Sequence, residues 1–138
     1  LEAGAQLRNW VKPRKLGRVT GAGAGFKLPN SDVRAPDVSF VLAERMRRTT
    51  RSFAELAPDI MMEVKSPSDS LSALRKKIQG FLSQGTKVGI LINPEKHRVE
   101  VYRRGDEVVV LGDGDVVTAP DVLPGWKMVV SDLWSQDF

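Results

Sequence analysis

The sequence predicts a mixed α/β fold, a β-sheet flanked by helices in one domain. Three observations carry this expectation. Asp59–Lys65 alternates with the period of two that marks a strand. Val88–Ile92 is continuously apolar, as a strand covered on both faces must be. Between them lies one amphipathic segment long enough to be a crossover helix, which makes the two strands parallel neighbours in a single sheet.

Taken in order, Leu1–Val11 reads as the tail of a helix, ended by Pro13 and Gly17. Arg18–Thr20 and Gly25–Leu28 are short strands joined as a hairpin about the glycine-rich turn Gly21–Gly25. That turn lacks the Lys-Ser/Thr and following helix of a phosphate loop, so it is read as a connection and not as a nucleotide cradle. Val33–Leu42 is read as one strand, with Val38, Phe40 and Leu42 on one face and Asp37, Ser39 and Val41 on the other. Ala43–Ala54 is expected to be a basic, mobile stretch. After the strand Asp59–Lys65, Ser66-Pro67-Ser68-Asp69 offers helix-start chemistry. The helix runs to about Gln84 on an apolar stripe of Leu71, Leu74, Ile78, Phe81 and Leu82, and Gly85 stops it as a left-handed cap would. Lys87–Asn93 is the buried strand. Val99–Arg103 and Glu107–Leu111 form a hairpin about Arg104-Gly105-Asp106. The remainder is turn-rich, with a short strand at Lys127–Val130 and a terminal turn at Ser131–Trp134. Trp10, Trp126 and Trp134 are expected as core or cap aromatics.

Composition narrows the chemistry. The 138 residues include no cysteine and one histidine, His97, which is assigned no role. Disulfides, thiolate nucleophiles and zinc sites of the Cys or His kind are thereby excluded. A metal, if bound, must be held by oxygen ligands, which points to magnesium, manganese or calcium. The absence of cysteine also fits a reducing cytoplasm, and no apolar run is long enough to span a bilayer. The chain starts at Leu1 and not at Met, so the single domain, residues 1–138, is expected to be incomplete at its N-terminus. Net charge is +4 and uneven: residues 1–51 hold eleven Lys or Arg against four acids, and residues 52–138 hold ten against thirteen. A positive half is the electrostatic footprint of a polyanion-binding surface, with Arg45, Arg47, Arg48 and Arg51 as candidate phosphate contacts.

The informative segment is Met61-Met62-Glu63-Val64-Lys65. On a strand, Glu63 and Lys65 share one face while Met62 and Val64 take the other. Asp37 lies on the preceding strand, and neighbouring strands are about 4.8 Å apart, so the Asp37 and Glu63 carboxylates can share one cation. Such a cation activates water and relieves charge on a phosphodiester. Lys65 would orient that water or stabilise developing negative charge. Lys77 lies on a border of the helical apolar stripe, with Arg75 on the other border, and can reach over the sheet towards Glu63. Asp59 follows Pro58 and shares the face of Glu63, but only three residues separate the two, so it cannot sit on a neighbouring strand. It is read as part of the turn leading into the strand.

These segments together resemble the Uma2 family of restriction-endonuclease-like proteins. The resemblance is carried in order by Pro36-Asp37-Val38, Ala57-Pro58-Asp59, Glu63-Val64-Lys65-Ser66-Pro67-Ser68-Asp69, Lys77 with Phe81 and Gly85, Ile90-Leu91-Ile92-Asn93-Pro94, Val99-Glu100-Val101-Tyr102 and Val122-Leu123-Pro124-Gly125-Trp126. It implies a restriction-endonuclease-like fold, a PD-(D/E)XK site using Mg2+ or Mn2+, a DNA substrate and a bacterial source. Asp37 and Glu63 would be metal ligands, with the carbonyl of Val64 as a further one. Lys65 matches the motif lysine, whereas many relatives are apolar there and use a lysine of the following helix, here Lys77; both stand as catalytic candidates. Two other readings accompany the endonuclease: a nucleic-acid-binding module that keeps the fold without catalysis, and a protein-interaction domain, including a homodimer formed through the late hairpin strands.

Overall fold

The computed structural model describes residues 2–23, 25–28, 33–48 and 56–134, without the side chains of residues 33, 47 and 48. Its centre is a six-stranded sheet in the order β1-β4-β5-β6-β7-β8, built from β1 (Gly17–Gly21), β4 (Val38–Leu42), β5 (Ile60–Val64), β6 (Val88–Asn93), β7 (Arg98–Tyr102) and β8 (Val109–Leu111). β5 and β6 are parallel, as the crossover requires, and the other pairs of this sheet are antiparallel. The expected α/β architecture is therefore present.

Helix α1 (Glu2–Arg14) packs on one face through Ala3, Leu7 and Val11, spaced by four so that they share a side. It runs past Pro13, which forfeits a single intrahelical bond in the last turn. The true stop is Lys15, whose φ of 53° is left-handed. There the Lys15 N–H donates to Lys12 O at 3.2 Å and the Leu16 N–H to Val11 O at 3.3 Å, which is a Schellman closure. On the same sheet face lie Phe40, Ile60, Met62, Ile90 and Ile92, together with Trp126 and Met128 from the C-terminal region. The opposite face is covered by α3 (Leu71–Ser83), whose Leu74, Ile78, Phe81 and Leu82 meet Met61 and Leu91. This helix is capped by Ser70, whose hydroxyl accepts from the Ala73 N–H, so it starts beyond the Ser66–Asp69 segment. That segment instead folds into a turn in which Asp69 accepts from both the N–H and the hydroxyl of Ser66. Gly85, with φ of 119°, ends α3 as expected.

Several expectations are corrected. β1 does not pair with the segment after the glycine-rich turn. It pairs with β4, where Gly17 lies so close that a Cβ would stand 2.1 Å from the Val41 carbonyl oxygen. The next segment, β2 (Phe26–Lys27), pairs with β3 (Val33–Arg34). The single strand expected over Val33–Leu42 is thus two, broken at Ala35-Pro36-Asp37, because Pro36 has no N–H for a ladder. The basic stretch contains a helix, α2 (Ala43–Arg48); residues 49–54 lie outside the described part. In the turn-rich region β9 (Val116–Thr118) pairs with β10 (Lys127–Val129), ahead of a final 3₁₀ turn, Val130–Leu133. Trp126 is buried in the core, while Trp134 stacks on His97 and donates to Asp113 at 2.5 Å.

Candidate active site

Asp37 and Glu63 meet where the β4–β5 ladder ends. The antiparallel register pairs Val38 with Met62, so the next step brings Asp37 opposite Glu63. Past the last rung, the Asp37 side chain takes the place of a backbone acceptor: its Oδ2 receives the Val64 N–H at 2.8 Å. That bond fixes the carboxylate beside β5 and leaves the Val64 carbonyl at the same corner.

Glu63 is 2% exposed, on the α3 side of the sheet. Burial pushes its carboxyl up to about 7; the Lys77 ammonium opposes the rise, and Asp37 adds to it by repulsion and by hydrogen bonding to the protonated form. Lys77 forms an ion pair with Glu63 Oε1 and donates a hydrogen bond of 2.9 Å to the Ala35 carbonyl. The lysine on the stripe border therefore does reach across the sheet. Arg75, on the other border, instead forks onto Glu100 at 3.0 and 2.7 Å.

Lys65 is directed elsewhere. Its Nζ pairs with Glu95 at 2.6 Å and donates to the Ser66 carbonyl at 3.2 Å. Asp37, Glu63, Lys77 and the Val64 backbone thus form one cluster, with Lys65 bound to an acid beyond the strand end. Glu95 and the Ala35 carbonyl, which hold the two lysines, carry no signal in the sequence, since both act through chain path. Of the arginines, Arg45 is held internally, pairing with Asp59 at 2.7 Å and donating to Ala57 O at 2.8 Å. Asp59 is wholly buried and also accepts the Leu42 N–H at 2.8 Å, so it ties α2 to the strand it precedes, in keeping with a structural reading. The side chains of Arg47 and Arg48, and all of Arg51, lie outside the described residues.

The donor set suits a hard divalent cation. Two carboxylates and a carbonyl are oxygen ligands of the kind magnesium takes when it keeps several waters. Glu63 Oε1 is buried and receives no aligned hydrogen bond, so a cation could offset its charge together with Lys77. Among the described residues no group of three or more His, Asp or Glu side chains could hold a metal, so a cation at this corner would need water for the rest of its coordination.

The Uma2 family, described as "Putative restriction endonuclease", matches residues 1–131. A crystal structure of "a putative nuclease belonging to DUF820" from Anabaena variabilis ATCC 29413 is similar with a TM-score of 0.83 at 27% identity, covering 96% of this chain and 75% of that one. A DrdV–DNA complex solved by cryo-electron microscopy gives a TM-score of 0.47 at 18% identity, over 79% of this chain and 9% of that one. No curated protein matches.

Proposed function

The chain belongs to the Uma2 family, and from that premise we propose that it is a metal-dependent endonuclease that hydrolyses DNA phosphodiester bonds. The observation that carries the reading is the convergence of Asp37 and Glu63 from adjacent strands, with Lys77 paired to the buried member. Asp37 and Glu63 would bind Mg2+ or Mn2+ with the Val64 carbonyl. A bound cation would supply Lewis acidity towards the phosphoryl group and a more acidic water.

The chain's own groups do the rest. The Val64 N–H holds Asp37 in its ligating orientation. Glu63, whose carboxyl burial pushes up to about 7, must be in its ionised form to become a ligand, so metal binding would draw off the proton from the fraction that carries one. Lys77 is positioned by the Ala35 carbonyl, so its ammonium stands ready for negative charge developing on the phosphate. We assign the main catalytic lysine role to Lys77, because Lys65 must first leave Glu95 to assist. The basic first half of the chain would supply phosphate contacts, with Arg47, Arg48 and Arg51 as the candidates on and after α2.

Incubation with DNA and Mg2+ or Mn2+ is expected to give cleavage that Glu63→Ala abolishes. In a calorimetric titration, Asp37→Ala should bind the metal at least tenfold more weakly than wild type. Metal bound at the wild-type site with no cleavage of single-stranded, duplex or supercoiled DNA would overturn the proposal.

A further inference from the structure

Asp37 faces two environments. On one side is the Glu63–Lys77 pair, and on the other a cavity of about 520 Å³ between α1, β1 and the ends of β4 and β5. Its walls are mainly apolar, with Ala5 from α1, Val19 from β1, and Val38 and Val64. Arg8 also lines it, and this guanidinium makes no ion pair or hydrogen bond among the described residues. The volume falls in the range of roughly 300–1,000 Å³ typical of pockets that enclose small organic ligands. An apolar recess, a cation with no charge partner among the described residues and a shared carboxylate together describe the surroundings of one nucleotide. The ring system would sit against the valines, and its phosphate would lie between Arg8 and the carboxylate pair.

We propose that this cavity receives an unpaired nucleoside of the DNA strand being cut, so that the substrate carries a single-stranded or bulged nucleotide at the cleavage point. The proposal rests on the nuclease reading of the adjacent carboxylates. The unpaired state follows from the walls. Drawing a base out of a duplex forfeits its pairing and stacking. Apart from the charged Arg8 and Asp37, and Thr20 whose hydroxyl is bonded to Ser39, the described lining is glycine, alanine and valine, which cannot replace the lost hydrogen bonds, and it has no aromatic ring to replace the stacking. A nucleotide already unpaired escapes that penalty.

Ala5 is exposed on α1, so Ala5→Phe can fill the recess without disturbing the core or either carboxylate. Cleavage should be compared on one sequence presented as a single strand, a bulged duplex and a continuous duplex, with Mg2+. Wild type is expected to show kcat/KM at least tenfold higher on the first two. Ala5→Phe should lose that advantage with an unchanged thermal midpoint and metal affinity, and Arg8→Gln should raise KM more than it lowers kcat. A second arm needs no turnover: a deoxynucleoside 3′,5′-bisphosphate is titrated calorimetrically in Ca2+, and Ala5→Phe should weaken its binding at least tenfold. Preference for continuous duplex, or equal bisphosphate affinity in wild type and Ala5→Phe, overturns the proposal, as does absence of bisphosphate binding to wild type. Ala5-dependent bisphosphate binding by a protein that cuts no DNA keeps the cavity assignment and removes the nuclease one.

Discussion

Glu63 occupies a position where burial of its ionised form costs stability. Its carboxyl is raised from 4.5 to about 7, and the protonated form is the one the folded protein prefers. The stability linked to that proton is fully present below pH 4.5 and is lost as pH rises through 7. A shift of this size corresponds to roughly 3 kcal/mol. Glu63→Gln, which cannot ionise, should therefore match wild type in metal-free buffer at pH 4.5 and exceed it at pH 8 in thermal or urea unfolding. A wild-type advantage at pH 8 would show that the Lys77 pair outweighs burial. The two lysines separate by partner. Lys77→Ala removes the ammonium from Glu63 and should lower kcat by about 10²–10³, as loss of one charge-stabilising donor does. Lys65→Ala breaks a contact with Glu95 and should cost less than tenfold. Cleavage rates at saturating metal decide between them. Asp37 and Glu63 were legible as candidates because strand alternation fixes faces and neighbouring strands fix separation. The choice of lysine was not, since it depends on where a four-carbon side chain finds an acceptor, and Ala35 and Glu95 are distant in sequence from the lysines they hold.

Elements that announce themselves by period and cap were legible: β5, α3 and β6 follow from alternation, an apolar stripe and Gly85. Pairings between short segments were not. Two- and three-residue strands such as β2, β3 and β9 carry too little pattern to name a partner, and β1 finds β4 through the close approach at Gly17, which spacing does not reveal. Helix ends allow direct tests. Lys15 closes α1 in a left-handed conformation that glycine adopts freely, so Lys15→Gly should raise stability by about 0.5–1 kcal/mol in denaturant titration. At Gly89 an added Cβ would stand 2.5 Å from Ile78 Cγ2, on the seam between β6 and α3. Gly89→Ala should cost about 1–3 kcal/mol by overpacking. Because α3 carries Lys77, activity should fall further than the loss of folded protein explains.

On the scale of the whole molecule, the sheet separates two apolar clusters, one beneath α1 and the C-terminal strands, the other beneath α3. The carboxylate pair stands at the strand ends, with a lysine from α3 on one side and the α1-lined cavity on the other. A cation held there, as proposed, would bind only the folded chain. Mg2+ at a hundredfold excess over its Kd should therefore stabilise the protein by about 2.7 kcal/mol. Scanning calorimetry against chelator checks this, and at the same Mg2+ concentration Asp37→Ala should gain about 1.4 kcal/mol or less. The feature that opens this corner is the ring of Pro36. With no amide hydrogen to offer, it separates β3 from β4 along the chain, and the rungs from β4 to β5 stop at Val38 while β5 itself runs on to Val64. Like a zip fastener missing its top teeth, the two edges gape beside their last closed link. The mouth of the cleft is thus set by the covalent chemistry of one ring, at the point where the rungs between these two edges end.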